Sequence, residues 1–286
     1  MIATEIPDSS SQSEAAPHLR IRPMSGWQAL NLSQVWQYRD LLFTLAARDV
    51  RLRYKQTALG VVWVVLQPLM AAGILSFVLG TIAKMPSDGP MFLVTYASML
   101  GWNAFSGTLA KASSCLVGNA HLISKVYFPR LILPLSTVLS SLLDFAVALI
   151  MMFVLLAIYG IPIGLSFLLL PVWLLLILLF AIGVGLLMAA LTVTYRDVQY
   201  ILPVALQFLM YASPVLYSVS RVPENFRSIY NLNPLVSVME CFRWSLVGSS
   251  SVSLTNITYS AAIGLIVFVL GAFAFKRMER TFADVI

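Results

Sequence analysis

Tyr200, Gln207, Tyr211 and Ser218 fall at offsets of seven, eleven and eighteen residues, which on an α-helix places them along one face. Gly60, Trp63 and Gln67 share a face of another segment in the same way. An aromatic ring can stack on the C–H face of a sugar while amides and hydroxyls bond its hydroxyl groups, so the two stripes suit a conduit for a hydroxyl-rich solute. Packing is the competing reading, because Tyr and Trp gather at membrane interfaces and Gln bonds neighbouring helices.

Catalytic chemistry has little to work with. His18 and His121 stand far apart, no His or Cys pair has the spacing of metal ligands, and no cluster of acids, bases and nucleophiles is evident. No GxxxxGK[ST] phosphate loop occurs, so the chain is not expected to bind ATP, and any energy source must be a partner or an ion gradient. Cys115 and Cys241 read as small packing residues, not as a disulfide. Lys111 and Asp144 both lie within apolar stretches, where a charge is expensive and a functional suspect. Lys111 is placed to snorkel to the surface. Asp144 suits either a polar contact between helices or a place on a solute path.

These residues need elements to carry them, and the composition says which solvent those elements meet. Charged residues make up 10% of the chain, against about a quarter in soluble domains, so the expected fold is an all-α integral membrane protein. Although the net charge is +6, the basic residues are scattered among apolar runs instead of forming one basic face, which excludes a nucleic-acid partner. Six stretches, near 58–83, 91–115, 131–159, 168–193, 199–219 and 257–275, are long enough to cross about 30 Å of hydrocarbon as helices. The second is rich in Gly, Ser and Asn, small residues that let helices approach closely, and is expected at the bundle centre.

Arg48, Arg51, Arg53, Lys55, Lys125, Arg130, Arg196, Lys276, Arg277 and Arg280 fall on one side of these spans, and Lys84, Arg221, Arg227 and Arg243 on the other. The excess of Lys and Arg assigns both termini to the cytoplasm. Residues 1–34 are expected as a disordered cytoplasmic tail and 35–57 as an amphipathic interfacial helix, with Val35, Tyr38, Leu42 and Leu45 towards lipid and Arg48, Arg51 and Lys55 towards anionic headgroups. A soluble cytoplasmic helix is the alternative. The six-helix domain covers 58–275 and a cytoplasmic tail 276–286. Between the fifth and sixth spans, Asn233 and Pro234 open a mostly apolar helix as cap and first residue. Ending near Val247 it is too short to span, and reads as a re-entrant or interfacial lid.

Five segments then carry a resemblance: RYKQTALG from Arg53 with Trp63 and Gln67-Pro68, LISKVYFPR at Leu122–Arg130, TYRDV at Thr194–Val198, SPVLY at Ser213–Tyr217, and NPLVSVMECFRW at Asn233–Trp244. In this order and register the chain resembles the permease subunits of ATP-binding-cassette exporters for O-antigen, capsular polysaccharide and teichoic acid. The resemblance implies two copies of this chain forming a pore in the bacterial inner membrane, a lipid-linked polysaccharide as cargo, and two cassette ATPase subunits holding the ATP and magnesium. It implies a coupling helix at about Asn119–Tyr127, with His121, Lys125, Tyr127 and Arg130 facing the ATPase. It also implies a channel along Trp63, Gln67, Tyr200, Gln207, Tyr211 and Ser218, and an external gate including Asn233, Pro234, Glu240 and Arg243. Asn119 has the chemistry to cap the coupling helix, and Pro129 to end it. A membrane-embedded transferase of polyprenyl-linked sugars would share the aromatic and basic surface, but calls for several acidic or histidine residues at one face; a structural scaffold would have no ATPase partner.

Overall fold

The computed structural model describes residues 32–55, 62–87, 89–248, 253–279 and 282, and every regular element among them is helical. A chain this apolar must satisfy its backbone polar groups internally when lipid surrounds it, and helices do so. The chain enters through α1 (Leu32–Gln37) and α2 (Arg39–Tyr54), divided by a turn at Tyr38. Next come α3 (Val62–Ser76), which runs on as a π-helical stretch to Ile82, then α4 (Met91–Gly118) and the short α5 (Ala120–Lys125). Beyond these lie α6 (Ile132–Ile158), α7 (Leu170–Thr194) and α8 (Val198–Tyr211), followed by α9 (Glu224–Tyr230), α10 (Pro234–Val247) and α11 (Leu254–Met278). The expected tail before Leu32, Gly60, and the residues after Glu279 other than Phe282 lie outside the described residues.

Among the described residues, four helices are long and apolar enough to cross a bilayer: α3 with its π-helical extension, α6, α7 with the turn leading into it, and α11. The other two expected spans depart from that pattern for different reasons. With 28 residues, α4 is about 42 Å long at 1.5 Å per residue, but its hydroxyl, amide and ammonium groups lower its hydropathy. It is the hub of the bundle instead, packed against α7, α6, α3 and α10, with 17 of its 28 residues buried. Most of its serine and threonine hydroxyls bond carbonyls of their own helix, as Ser98 does to Val94 at 3.0 Å and Ser106 to Trp102 at 2.9 Å, so these need no water.

The expected span over 199–219 ends at Tyr211, because Pro214 supplies no N–H and restricts Ser213. The 14 residues of α8 cover about 21 Å, short of the hydrocarbon thickness. The irregular stretch after it is covered by protein, with Ser213, Pro214 and Val215 buried, as backbone at that depth requires.

The interfacial helix also differs from expectation. It begins earlier, at Leu32, and its apolar side does not face lipid: Leu45 and Ala46 are buried, and Val35, Leu41 and Leu42 pack on the same apolar cluster as Leu131, Ile132, Leu186 and Phe275. Trp36, Tyr38, Phe43 and Leu52 are the large apolar side chains left outward, so of the four residues expected towards lipid only Tyr38 is exposed. At this end of the bundle the ends of α4, α7 and α11 and the start of α6 already form a close-packed apolar floor, which α2 covers.

Candidate functional site

Three polar constellations stand out from the apolar bundle. The first lies on the flank formed by α3, α4 and α6. Lys111 of α4 reaches Asp144 of α6, Nζ to Oδ2 at 2.7 Å, and also approaches Ser140 Oγ at 3.5 Å. This corrects the expected snorkelling of Lys111: its ammonium is taken by a carboxylate on the neighbouring helix, as intramembrane charges pair. For Asp144 the contact between helices is realised.

The pair is the common wall of two cavities. One, of about 270 Å³, is lined by Gln67 of α3, Asn103 and Ser106 of α4, Ser141 of α6, and the apolar Met99 and Phe145. The other, of about 320 Å³, opens towards α2, between Asp49, Ser114, Asn119, Thr137 and Ser140. Ser141 Oγ is buried with no hydrogen-bond partner among the described residues, a costly state for a hydroxyl.

The second constellation holds α10. Asn233 caps α10, its Oδ1 accepting from Leu235 N at 3.0 Å, while its Nδ2 donates to the Ala212 carbonyl and to Ser213 Oγ; Pro234 takes the first helical position. About two turns on, Glu240 Oε1 accepts from Val219 N at 2.9 Å, Ser218 Oγ at 3.1 Å and Arg243 at 3.0 Å. Arg243 donates in turn to Ser218 Oγ and to the Pro214 carbonyl. Both charged side chains are almost fully buried, at 8% and 3% exposure, so they need these partners. Ser218 therefore belongs to this cluster and not to the stripe of Tyr200, because the helix that would align them stops at Tyr211. Cys241 is buried next to Glu240; burial, and then the neighbouring carboxylate, push its thiol up to about 12, so it stays protonated and unreactive.

The third lies at the end of the bundle that carries α2. His121, Lys125 and Tyr127 are exposed, Tyr127 at 84%. The expected cap on α5 is absent. Asn119 Oδ1 accepts instead from Arg48 of α2 at 2.6 Å, and its Nδ2 donates to the Cys115 carbonyl at 2.8 Å; a charge-assisted bond outcompetes a cap. Helix α5 stops at Lys125, before Pro129. Arg130 points back into the protein, donating to the Glu279 carbonyl and lying 5.7 Å from the Phe282 ring centroid. Its backbone N–H meets the Glu279 carboxylate, which also pairs with Lys276 at 2.6 Å.

Trp63, Gln67, Tyr200, Gln207 and Tyr211 are exposed on this single chain, so their stripes are open faces of α3 and α8. Only Gln67 meets one of the polar cavities described above. Sequence reasoning missed Asn103, Ser141, Arg48 and Glu279. The pairing of Lys111 and Asp144 had a signal: each is the one charged residue of its span, and the charges are opposite.

Comparison with known proteins places these features. The family model of the ABC-2 type transporter matches residues 40–247. The chain is 30% identical over 254 residues to the O-antigen export system permease protein RfbA of Myxococcus xanthus, across 88% of this chain and 97% of that protein. It is 28% identical over 249 residues to the protein of the same name in Klebsiella pneumoniae, across 86% and 95% of the two. To the polysialic acid transport protein KpsM of Escherichia coli it is 26% identical over 247 residues, 82% of this chain and 92% of that one.

Proposed function

We infer, from the premise that this chain belongs to the ABC-2 type transporter family, that it is the membrane-spanning subunit of an ATP-driven exporter that moves a lipid-linked polysaccharide of O-antigen or capsule type out of the cytoplasm. A teichoic acid or similar lipid-linked polymer is the nearest alternative cargo. The family match carries the reading, because its limits, 40–247, enclose α3 to α10 and the first two polar constellations whole, with the α5 side of the third. The chain is a permease and catalyses no bond chemistry; ATP hydrolysis, with its magnesium, belongs to a separate cassette ATPase.

In this reading two copies of the chain meet across the open faces of α3 and α8, so Trp63, Gln67, Tyr200, Gln207 and Tyr211 line the pore between them. Two ATPase subunits bind from the cytoplasm against His121, Lys125 and Tyr127, and their closure on ATP biases the pore between closed and open states. The helix bearing Asn233, Pro234, Glu240 and Arg243 gates the outer end. Arg130, engaged by Glu279, supports the coupling segment from within. Purification of the tagged chain from its native membranes tests the assignment: a cassette ATPase is expected to copurify and to hydrolyse ATP faster with lipid-linked glycan present. A chain that purifies without an ATPase rejects it.

Two further outcomes are expected. Lys125→Glu should weaken ATPase binding at least about tenfold, since reversing a desolvated interface charge leaves its partner unpaired at a cost of about 2–5 kcal/mol. Membrane insertion and melting temperature should hold, because Lys125 is exposed. Normal affinity in a pull-down would remove this segment from the interface. For orientation, Asn225→Cys is expected to react with an impermeant maleimide added outside intact cells, and Tyr127→Cys only after lysis. The opposite pattern would invert the assigned topology. Cys115 and Cys241 are both buried and give little background.

A further inference from the structure

We propose that the polar cleft between α3, α4 and α6, with the Lys111–Asp144 pair at its waist, is a binding subsite for neutral sugar residues of the exported glycan. The inference rests on the transport reading above and adds a site that lies apart from the stripes of α8.

Packing alone does not call for this arrangement. Most hydroxyls of α4 and α6 that only pack bond back to their own helix, as Ser98 and Ser136 do, with the buried Thr108 an exception. In the cleft, Ser141 Oγ is buried without a partner among the described residues, and the amides of Gln67 and Asn103 line the same cavity as exposed side chains. A cavity of about 270 Å³ lined by these groups, inside a membrane-spanning bundle, is roomy and polar enough to hold water when nothing else fills it. It is sized for one sugar ring at a time.

The chemistry selects the ligand. A carboxylate accepts from vicinal hydroxyls, an ammonium donates to ring and hydroxyl oxygens, and a primary amide does both, which together match a ligand that offers donors and acceptors on every carbon. Phe145 and Met99 supply an apolar wall for its C–H face. A phosphate is disfavoured because the carboxylate of Asp144, 2.7 Å from the ammonium, would repel it; a metal ion or an organic cation is disfavoured by Lys111 in the same way. The second cavity, reaching Asp49 and Asn119 beside α2, puts the site in line with the cytoplasmic end.

The test separates binding from bundle stability. Removing both charges with Lys111→Met/Asp144→Leu leaves neither member of the pair behind without the other, so the melting temperature of the permease–ATPase complex should stay within a few degrees of wild type, whereas Asp144→Ala alone should lower it. Asn103→Leu removes an exposed amide and serves as the second variant. The probe is lipid-linked glycan extracted from the producing membranes, titrated against the ATPase rate of complexes in nanodiscs. The concentration giving half stimulation is expected to rise at least tenfold in the double variant and about threefold in Asn103→Leu. Wild-type titration curves in both overturn the subsite. If the double variant melts early, Asn103→Leu decides: an unshifted curve there assigns the pair to packing and rejects the proposal. A wild-type complex that does not respond to glycan rejects the transport reading itself, a result distinct from a responsive wild type with unshifted variants.

Discussion

Glu240→Ala is expected to destabilise the protein by about 3–5 kcal/mol, the loss seen when one partner of a buried ion pair is removed and the other charge stays behind. Arg243, at 3% exposure, would keep only the Pro214 carbonyl and Ser218 Oγ as named partners, and Val219 N would lose its carboxylate acceptor. The damage goes beyond one helix, because these bonds tie α10 to the irregular strand of chain that follows α8. Glu240→Gln keeps an oxygen acceptor while removing the charge, so it should lose distinctly less. Glu240→Leu/Arg243→Met removes both charges and should recover most of the melting temperature, since a buried pair is often replaced by apolar residues at little cost. In that double variant the loop from Pro214 to Val219 is no longer pinned to α10, and export should fall although the fold holds. Equal melting temperatures for Glu240→Ala and wild type in a thermal scan would show that the pair is not what anchors the helix.

What could be read from the residues, and what could not, divides along a physical line. Properties that depend on local composition were legible: the apolar runs mark four of the six expected spans, the small and hydroxyl residues of Met91–Gly118 mark the central helix, and Asn233-Pro234 marks the start of α10, whose cap is formed as expected. Properties that depend on a distant partner were not. Snorkelling of Lys111 was a sound inference from depth alone, and failed because Asp144 stands on the next helix. Asn119 had the chemistry of a cap, and lost that role to Arg48, 71 residues away in the chain. Arg130 sits in a basic loop motif, yet its guanidinium is taken by the carboxyl-terminal end of α11. The helix break before Ser218 was visible in Pro214, and underweighted because the residues around it are apolar enough to continue a span. The chemistry of the candidate site was in view; its grouping was not.

Gly271→Ala should be the most disruptive single-methyl change in the bundle. Helices α7 and α11 cross with Gly271 against Gly183, and a Cβ at Gly271 would land on the Gly183 carbonyl oxygen, which no side-chain rotation can move. The reciprocal change is blocked as well, since a Cβ on Gly183 would lie 2.7 Å from both Cα and N of Phe268. Between membrane helices such close approach is itself the source of stability, because lipid offers no hydrophobic drive and van der Waals contact must hold the helices together. Forcing them apart loses contacts along the whole crossing, including those of Phe275 and Ala272, both fully buried. The cost is expected at or above the upper end of the about 1–3 kcal/mol typical of overpacked cores, and Gly271→Val should prevent a folded product. Gly107, with nothing within 4 Å of a built Cβ, is the control: Gly107→Ala should be neutral or slightly stabilising, as expected for Ala over Gly inside a helix. The measurement is monodisperse yield and melting temperature in one detergent for all three variants. If Gly271→Ala behaves like Gly107→Ala, the two helices do not cross at these glycines. A loss confined to the Gly271 variants would locate the tightest seam of the fold at the crossing of α7 and α11, the latter ending at the Glu279 contact with Arg130.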